Sequence, residues 1–489
     1  MPPSRIAKNT AYLTLAFTAQ KVLSFVYFAF IARFIGNDET GIGKYVFALS
    51  FTTIFGIFID FGMQSVLIRE IAKEKSRAQA FLSTILTSKI LIAFFVYIAA
   101  VATISFSGKD SLTQDLIVLT GIIMILDSFS LTLFAVFRGF QDLRFEAIST
   151  IIGKIIAIGV GVGSLYAGFG LRMLIVAVLC SSAFTFFYAL YHVIKTLHII
   201  PRIHFDAKVF RQIFAMALPF GIAGILINAY GYFDTVLLSY LAGDRYVGWY
   251  SVANKLTYAL QFLPAAFAAA VFPAMSAYFV TSKDLLSRTF ERSMFYLMII
   301  AVPISVGSIL LAEPLIAKVY GPVFGASVPA LQILMAGLPF IFLNFPIGYL
   351  LNATNRQTKN TINIGITLVV SIILNLILIQ QYNFIGASVT NLVSTVLLFS
   401  LGLWQVGRVI QYQKWILLKV LLKAVVAAVG MAAIILIWKA TGSLLKTTEF
   451  LSVIMISFLT YCGILLLLGG MNRQDFTKIY QAIAKKVVS

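Results

Sequence analysis

The feature that most constrains this chain is a series of long apolar runs that leaves almost no sequence over. Fourteen runs lie at approximately 11–35, 45–68, 82–106, 115–137, 147–168, 172–197, 211–240, 249–280, 289–312, 327–351, 359–380, 384–407, 415–438 and 448–470. A helical span needs about 20 mostly apolar residues. Barrel strands would alternate with period two over about 10 residues, and these runs are continuous. The first run is too long for a signal-peptide core and thirteen follow it, so it reads as a retained span. Composition agrees: 60% of the 489 residues are hydrophobic and 11% are charged, against about 25% charged in soluble domains. A soluble enzyme is excluded. The expected fold is an all-α polytopic membrane protein of about fourteen transmembrane helices.

The charge is lopsided, with 37 Lys+Arg against 18 Asp+Glu, a net +19. With the N-terminus placed in the cytoplasm and the sides alternated, twenty-five basic residues fall in inner segments and seven in outer ones. Five, Lys21, Arg33, Lys89, Lys154 and Lys255, fall within spans. Basic residues mark cytoplasmic loops, so both termini are expected inside, as multi-pass ends in a cell (inner) membrane. The tail bases Arg473, Lys478, Lys485 and Lys486 add an expected contact with anionic lipid. No soluble domain or groove-reading element is present, so a nucleic-acid partner is not expected. Cys180 and Cys462 lie inside apolar runs and read as small buried hydrophobes.

A short pattern recurs. Gly36-Asn-Asp-Glu-Thr-Gly41-Ile-Gly43-Lys-Tyr45 follows the first span, and Gly243-Asp-Arg-Tyr-Val-Gly248-Trp-Tyr250 follows the seventh. The offset is about 205 residues, or six spans. Six is even, so the two halves share one orientation and are related by a pseudo-two-fold axis along the membrane normal, with a binding site between them. The division expected is a six-helix bundle over 1–205, a second over 206–412, and helices 13 and 14 with the basic tail over 413–489. Nine of the twelve prolines lie between Pro219 and Pro346. Those inside spans bend helices, and spans 7, 8 and 10 are the candidates for bending during transport.

Enzymatic constellations are missing. His192, His198 and His204 have no acidic or cysteine neighbours at ligand spacing, so no metal site is expected. The stretch Gly36–Lys44 lacks the glycine and hydroxyl pattern of a phosphate-binding loop. Without an ATP site, energy must come from an ion gradient, the membrane potential or the substrate's own gradient. The informative residues are charges within spans, each costing about 2.5–3.5 kcal/mol at the helix centre on the insertion scale. Besides the five bases there are three acids, Asp60, Asp127 and Asp234. Run boundaries place Lys21 and Asp127 near mid-membrane. They place Asp60, Lys89 and Lys154 about two turns from the cytoplasmic face, and Arg33, Asp234 and Lys255 near the outer face. Ion pairs are expected between Asp234 and Lys255 and between Asp60 and Lys89. Even with every acid paired, two cations remain, and these suit an anionic, phosphate-bearing ligand.

Several motifs together resemble the polysaccharide-exporter (Wzx-type) flippases. They are Ile31-Ala32-Arg33-x-x-Gly36, the Gly-x-Tyr45 step, Asp60-Phe-Gly62 followed by Ile68-Arg69-Glu70, and Gly248-Trp-Tyr250-Ser-Val-Ala-Asn-Lys255-Leu. Arg138-Gly139 and Asn352-Ala-Thr-Asn-Arg356 are similar too. The resemblance covers essentially the whole chain. That family belongs to the superfamily that also holds the MATE-type multidrug exporters and the peptidoglycan lipid flippases. It implies an alternating-access flippase that moves a polyprenyl-diphosphate-linked oligosaccharide from the cytoplasmic to the outer leaflet for cell-surface polysaccharide synthesis. Its partners would be that lipid-linked substrate, membrane lipids and other polysaccharide-assembly proteins. On this reading Lys21, Arg33, Lys89, Lys154 and Lys255 line the diphosphate path. Asp60, Asp127 and Asp234 are candidates for proton or sodium coupling, and no organic cofactor is needed. Two rival readings are a cation-coupled multidrug exporter of the same fold and a membrane-embedded glycan polymerase or glycosyltransferase. The cation majority argues against the first, and the absence of a sizeable outer loop against the second.

Overall fold

A computed structural model describes residues 3–35, 38–440 and 446–470, with side chains from Ala16 onward. Gly36, Asn37 and the tail bases Arg473, Lys478, Lys485 and Lys486 lie outside that description, as do the side chains of Arg5 and Lys8. Among the described residues every regular element is helical. This is what a bilayer demands of a chain with long apolar runs, because a helix satisfies its backbone groups internally.

The chain forms α1 (Pro3–Ile35), α2 (Glu39–Asp60), α3 (Met63–Lys73), α4 (Ala78–Ser105), α5 (Ser111–Gly139), α6 (Arg144–Tyr166), α7 (Leu171–Leu197), α8 (Ala207–Leu241) and α9 (Asp244–Leu260). It continues through α10 (Phe262–Thr281), α11 (Lys283–Leu310), α12 (Ala312–Val319), α13 (Val328–Ala353), α14 (Gln357–Gly407), α15 (Lys414–Ala440) and α16 (Thr447–Leu467). Thirteen described segments are long and apolar enough to cross a bilayer. One of them, α14, has 51 residues, about 76 Å at the helical rise. It is not straight. Asn383 takes φ 51°, ψ −130°, and a Cβ on Gly386 would lie 2.1 Å from the Leu378 carbonyl oxygen. Residues eight apart in a straight helix are about 12 Å apart, so the chain doubles back there. The segment is a helical hairpin, so the thirteen segments among the described residues amount to fourteen helical passes. The protein is an all-α, multi-pass membrane protein.

Exposure follows from a lipid surround. Leu91, Phe95, Val429, Ile437 and Leu459 are each at least 60% exposed. α4 buries Phe81, Leu82, Ile85 and Ala93 on one face and presents Phe94 and Phe95 on the other. A water-facing helix would carry polar residues there. Cys180, expected to be buried, is exposed, and Cys462 is half-buried. A thiol in an apolar span has no reason to turn inward when the surroundings are lipid.

Two compact units emerge, Met1–Lys255 with Ile364–Ala387, and Leu256–Asn363 with Ser388–Ser489. Their seams follow packing and differ from the boundaries of the sequence repeat. In the first unit α5 packs on α2, α3, α4 and α7, α6 packs on α1 and α7, and α2 packs on α8. In the second, α11 packs on α10, α13 and α15, and α15 on α16. Two buried hydroxyls, Ser305 to the Met335 carbonyl at 2.7 Å and Tyr461 to the Ile299 carbonyl at 2.9 Å, tie these helices together. Pro219, Pro273, Pro303, Pro339 and Pro346 all lie inside helices.

The run expected at 45–68 is two elements. α2 ends at Asp60, where Phe61 (φ 38°) and Gly62 (φ 76°) turn left-handed. α3 then buries Met63, Val66, Leu67, Glu70 and Ile71, one face of a short amphipathic helix. Gly62 permits the turn, and it also lets α8 approach: a Cβ on it would meet the Gly221 nitrogen at 2.5 Å and the Ala217 oxygen at 2.7 Å.

Candidate functional site

The first unit gathers most of the intramembrane charge. Asp60 is the last residue of α2, beside the break. Lys89 of α4 reaches it at 2.7 Å and is fully buried. The same ammonium donates to Thr132 Oγ1 at 2.6 Å, Ser128 Oγ at 3.0 Å and the Ser128 carbonyl at 3.2 Å. The Asp60–Lys89 pair is therefore formed. An ammonium has three protons, and this one has no capacity left. Lys89, named with the path residues, is a neutralised charge that holds α2, α4 and α5 together.

Beside this pair lies a cavity of about 490 Å³ lined from α2, α3, α5, α7 and α8. Asp60 and Asp127 supply its carboxylates, and Gln64, Asn228 and Thr53 supply amide and hydroxyl groups. Asp127 lies near Ser182 of α7, and its side chain is exposed to the cavity. Asn228 donates to the Gly224 carbonyl at 3.0 Å and Gln64 to the Leu131 carbonyl at 3.3 Å. Their amide oxygens remain as acceptors. An acid-lined, amide-rich space suits a cation or hydroxyl-bearing groups and repels phosphate.

Asp234, on α8, is buried in a different setting. Asn375 Nδ2 donates to its Oδ1 at 2.7 Å, Ser371 Oγ at 3.3 Å, and the Tyr250 hydroxyl reaches Oδ2 at 3.4 Å. Lys255, the partner expected for Asp234, sits with its ammonium 5.6 Å from the Phe28 ring centroid. Lys154 sits 5.3 Å from the centroid of Tyr27, the preceding residue on α1. The two ammonium groups are close enough for their charges to interact. Run boundaries had placed these lysines at opposite depths. The helices begin earlier than the runs, at Arg144 and Asp244, so the two lysines stand ten and eleven residues in, about 15–17 Å along each axis. Among the described residues neither has a carboxylate within 4 Å. Lys255 is solvent-accessible. Lys21 is half-buried on α1, seven residues before Phe28 and thus on the same face. Arg33 is exposed near the far end of α1, about 18 Å from Lys21 along the helix. The structure therefore groups Lys154 and Lys255 and leaves Arg33 apart.

The opposite end of this unit holds residues that the sequence reading passed over. The starts of α2 and α9 cross at the repeated motif. A Cβ on Gly43 would lie 1.6 Å from the Asp244 oxygen, and a Cβ on Gly248 2.2 Å from the Glu39 oxygen. Asp244 and Glu39 each precede the glycine of their own helix by four residues, and both pairs are offset by 205. The contact is reciprocal, as a two-fold relation requires. Ion pairs surround it. Lys109 donates to Asp244 Oδ1 at 2.9 Å and to Ser239 Oγ at 2.8 Å, Arg245 meets Glu39 at 3.5 Å, and Lys44 meets Asp110 at 2.8 Å. The available signal was the repeat, which, aligned on Gly43 and Gly248, pairs Glu39 with Asp244. Among the described residues no cluster of three metal-ligating side chains occurs.

Comparisons agree with this architecture. A family model described as polysaccharide biosynthesis protein matches residues 6–279, and a MatE model matches residues 219–377. An uncharacterised membrane protein of Methanocaldococcus jannaschii is 26% identical over 80% of this chain and 83% of its own. A capsular polysaccharide biosynthesis protein of Staphylococcus aureus is 23% identical over 80% of this chain and 96% of its own. Among solved structures, a lipid II flippase in an inward closed conformation superposes with a TM-score of 0.77 at 17% identity, covering 95% of this chain and 99% of that one. The first model spans more than half of the sequence, so the chain belongs to the polysaccharide biosynthesis protein family of membrane proteins.

Proposed function

We propose that this protein is a flippase for a polyprenyl-diphosphate-linked oligosaccharide, carrying it from the cytoplasmic to the outer leaflet by alternating access. The observation that carries the reading is the pair Lys154 and Lys255, two interacting cations among aromatic rings with no carboxylate beside them. Like charges brought together in a low-dielectric site repel. A diphosphate bridging them removes that repulsion and gains charge-assisted hydrogen bonds. Lys21 extends the cationic path along α1, Arg33 stands about 18 Å farther along that helix at the exit, and the acid-lined cavity is kept for cations and sugar hydroxyls. The names of the relatives, a capsular polysaccharide biosynthesis protein and a lipid II flippase, support the substrate class.

Orientation follows from the charge bias. The N-terminus and basic tail lie in the cytoplasm of a cell membrane, which puts the Glu39 end outside and the Asp60 cavity toward the inside. The sequence halves 1–205 and 206–412 act as the two bundles of the transport cycle, with 413–489 appended. The exactness of the 205-residue reciprocity at Gly43 and Gly248 supports that division. Release outward requires this crossing to part. Asp60, Asp127 and Asp234 are the coupling candidates, and Asp127 is the most accessible. An inside-negative potential assists outward movement of a negative head group by about 2.3 kcal/mol per charge per 100 mV. Other polysaccharide-assembly proteins are the expected partners at the membrane surface.

The test is leaflet transfer of a labelled lipid-linked oligosaccharide in proteoliposomes. Lys154→Ala with Lys255→Ala is expected to slow transfer at least tenfold while the protein stays folded. Transfer at the wild-type rate would sink the assignment of these two lysines. Transfer of an organic cation in place of the glycolipid would favour the multidrug-exporter reading.

A further inference from the structure

The second unit carries a built surface groove that the flippase reading does not use. It lies between the C-terminal end of α14 and the N-terminal end of α15 and encloses about 630 Å³. Its walls are apolar, with Phe399, Leu403 and Leu417, and its rim is basic and aromatic, with Trp404, Arg408 and Lys414. The Arg408 guanidinium stacks on the Trp404 ring at 3.7 Å. Among the described residues neither Arg408 nor Lys414 has a carboxylate within 4 Å. The nearby acids are already engaged, Asp284 with Arg288 at 3.0 Å and Glu291 with the Gln413 backbone N–H at 2.7 Å.

The loop that presents these cations is held rigidly from α11. Ser287 donates to the Gln411 carbonyl, Glu291 caps Gln413, and Phe290 packs edge-on against Tyr412 at 5.7 Å. Lys283 extends the positive charge into an adjoining recess that also contacts Arg408. Trp404 and Trp415 are 54% and 74% exposed at the ends of two spans, where indole rings mark the membrane interface. An apolar slot under a pair of unneutralised cations, at head-group depth, has the chemistry of one ligand class.

We propose that this groove binds a glycerophospholipid with an anionic head group, its phosphate on Arg408 and Lys414 and an acyl chain along Phe399, Leu403 and Leu417. Arginine held flat on an indole keeps its outer N–H edge free for phosphate. The lining offers no carboxylate or carboxamide to grip a sugar, which separates this occupant from a lipid-linked oligosaccharide. The site is independent of the Lys154–Lys255 reading and stands or falls without it.

Native mass spectrometry of the full chain tests it, with added phosphatidylglycerol, phosphatidylcholine or undecaprenyl phosphate. Wild-type protein is expected to retain phosphatidylglycerol, and Arg408→Ala with Lys414→Ala to lower retention at least fivefold. Phosphatidylcholine should be held only at the level of that variant, and Arg408→Lys should keep most of the binding. Equal retention by wild type and double variant, or of both phospholipids, overturns the proposal. Displacement of phosphatidylglycerol by equimolar undecaprenyl phosphate overturns it too, in favour of a prenyl-chain site. Should the double variant fail to fold, quenching by brominated phosphatidylglycerol decides on wild type against Trp404→Phe. The Trp404 contribution should be quenched by the anionic lipid and spared by brominated phosphatidylcholine; equal quenching by the two overturns the site.

Discussion

At its Glu39 end the first unit brings helices together backbone to backbone, with no room for a single added carbon at Gly43 or Gly248. Toward its Asp60 end α2 and α8 contribute to the wall of a cavity of about 490 Å³ with two carboxylates in it. One end is sealed by close approach and ion pairs at the ends of helices. The other is propped open, with its one fully buried cation spent on holding the wall together. The difference teaches how a single helix can serve both a seal and a chamber. α2 begins with small residues, which allow contact, and ends at a left-handed break, which turns the chain away. In the proposed orientation the seal faces outward and the chamber inward.

The comparison breaks most sharply at Lys89. Lys89→Met should strand Asp60 at the cavity wall, and removing one partner of a buried ion pair costs about 3–5 kcal/mol. Thermal unfolding in detergent should show a large drop. Adding Asp60→Leu should recover most of it, because an apolar pair needs no neutralisation. If the single variant unfolds like wild type, the pair is not the prop of the chamber.

The seal is tested at its glycines. Gly43→Ala should force α2 and α9 apart, since the obstructing atoms are backbone and cannot rotate away; overpacking of this kind costs about 1–3 kcal/mol. Gly248→Ala should cost a similar amount. The double variant should cost well under the sum, because the first substitution already opens the space the second needs. A double-mutant cycle read by unfolding, alongside thiol accessibility of a cysteine placed at Tyr246, checks both points. Strict additivity would mean that the two glycines are not facing parts of one contact.

How much of this was legible depends on the range over which each signal is summed. Hydropathy integrates over some twenty residues, so the spans were readable, including the pair that α14 joins through Asn383. The break after Asp60 was not, because Phe61-Gly62-Met63 is as apolar as the helix before it and only the approach of Gly221 demands the turn. Depth was misjudged for Lys154 and Lys255, because polar first turns such as Asp244-Arg245-Tyr246 belong to the helix but not to the apolar run. The Asp60–Lys89 pair was foreseeable from two neighbouring spans. The Asn375 and Ser371 donors on Asp234 were not, since they come from 141 and 137 residues away. Glu39 and Asp244 read as ordinary loop acids until the packing of Gly43 and Gly248 gave their positions meaning.

The smallest expected effect is on the rim of the seal, through pH. Asp110 immediately precedes α5, outside the span. Partial burial works to raise its carboxyl, but hydrogen bonds from Lys44 and Thr113 and the Lys44 charge outweigh it and hold the group below the usual carboxylate range. A carboxyl with a depressed folded value binds its proton less readily in the folded state than in the unfolded chain, so it stabilises the fold above the unfolded value of about 3.9. That contribution fades as pH falls through the folded value. Asp110 is 45% exposed, so solvent screening confines the pair to the range of about 0–1 kcal/mol usual for surface ion pairs. Asp110→Asn should therefore lower stability slightly at pH 7 and by less at pH 3. The difference should shrink in high salt, because screening acts on the Lys44–Asp110 pair and not on the glycine crossing behind it. Unfolding midpoints of the variant and wild type at both pH values and two salt concentrations measure it. A loss as large as that of Gly43→Ala would mean that the ion pairs, and not the backbone contact, close the Glu39 end.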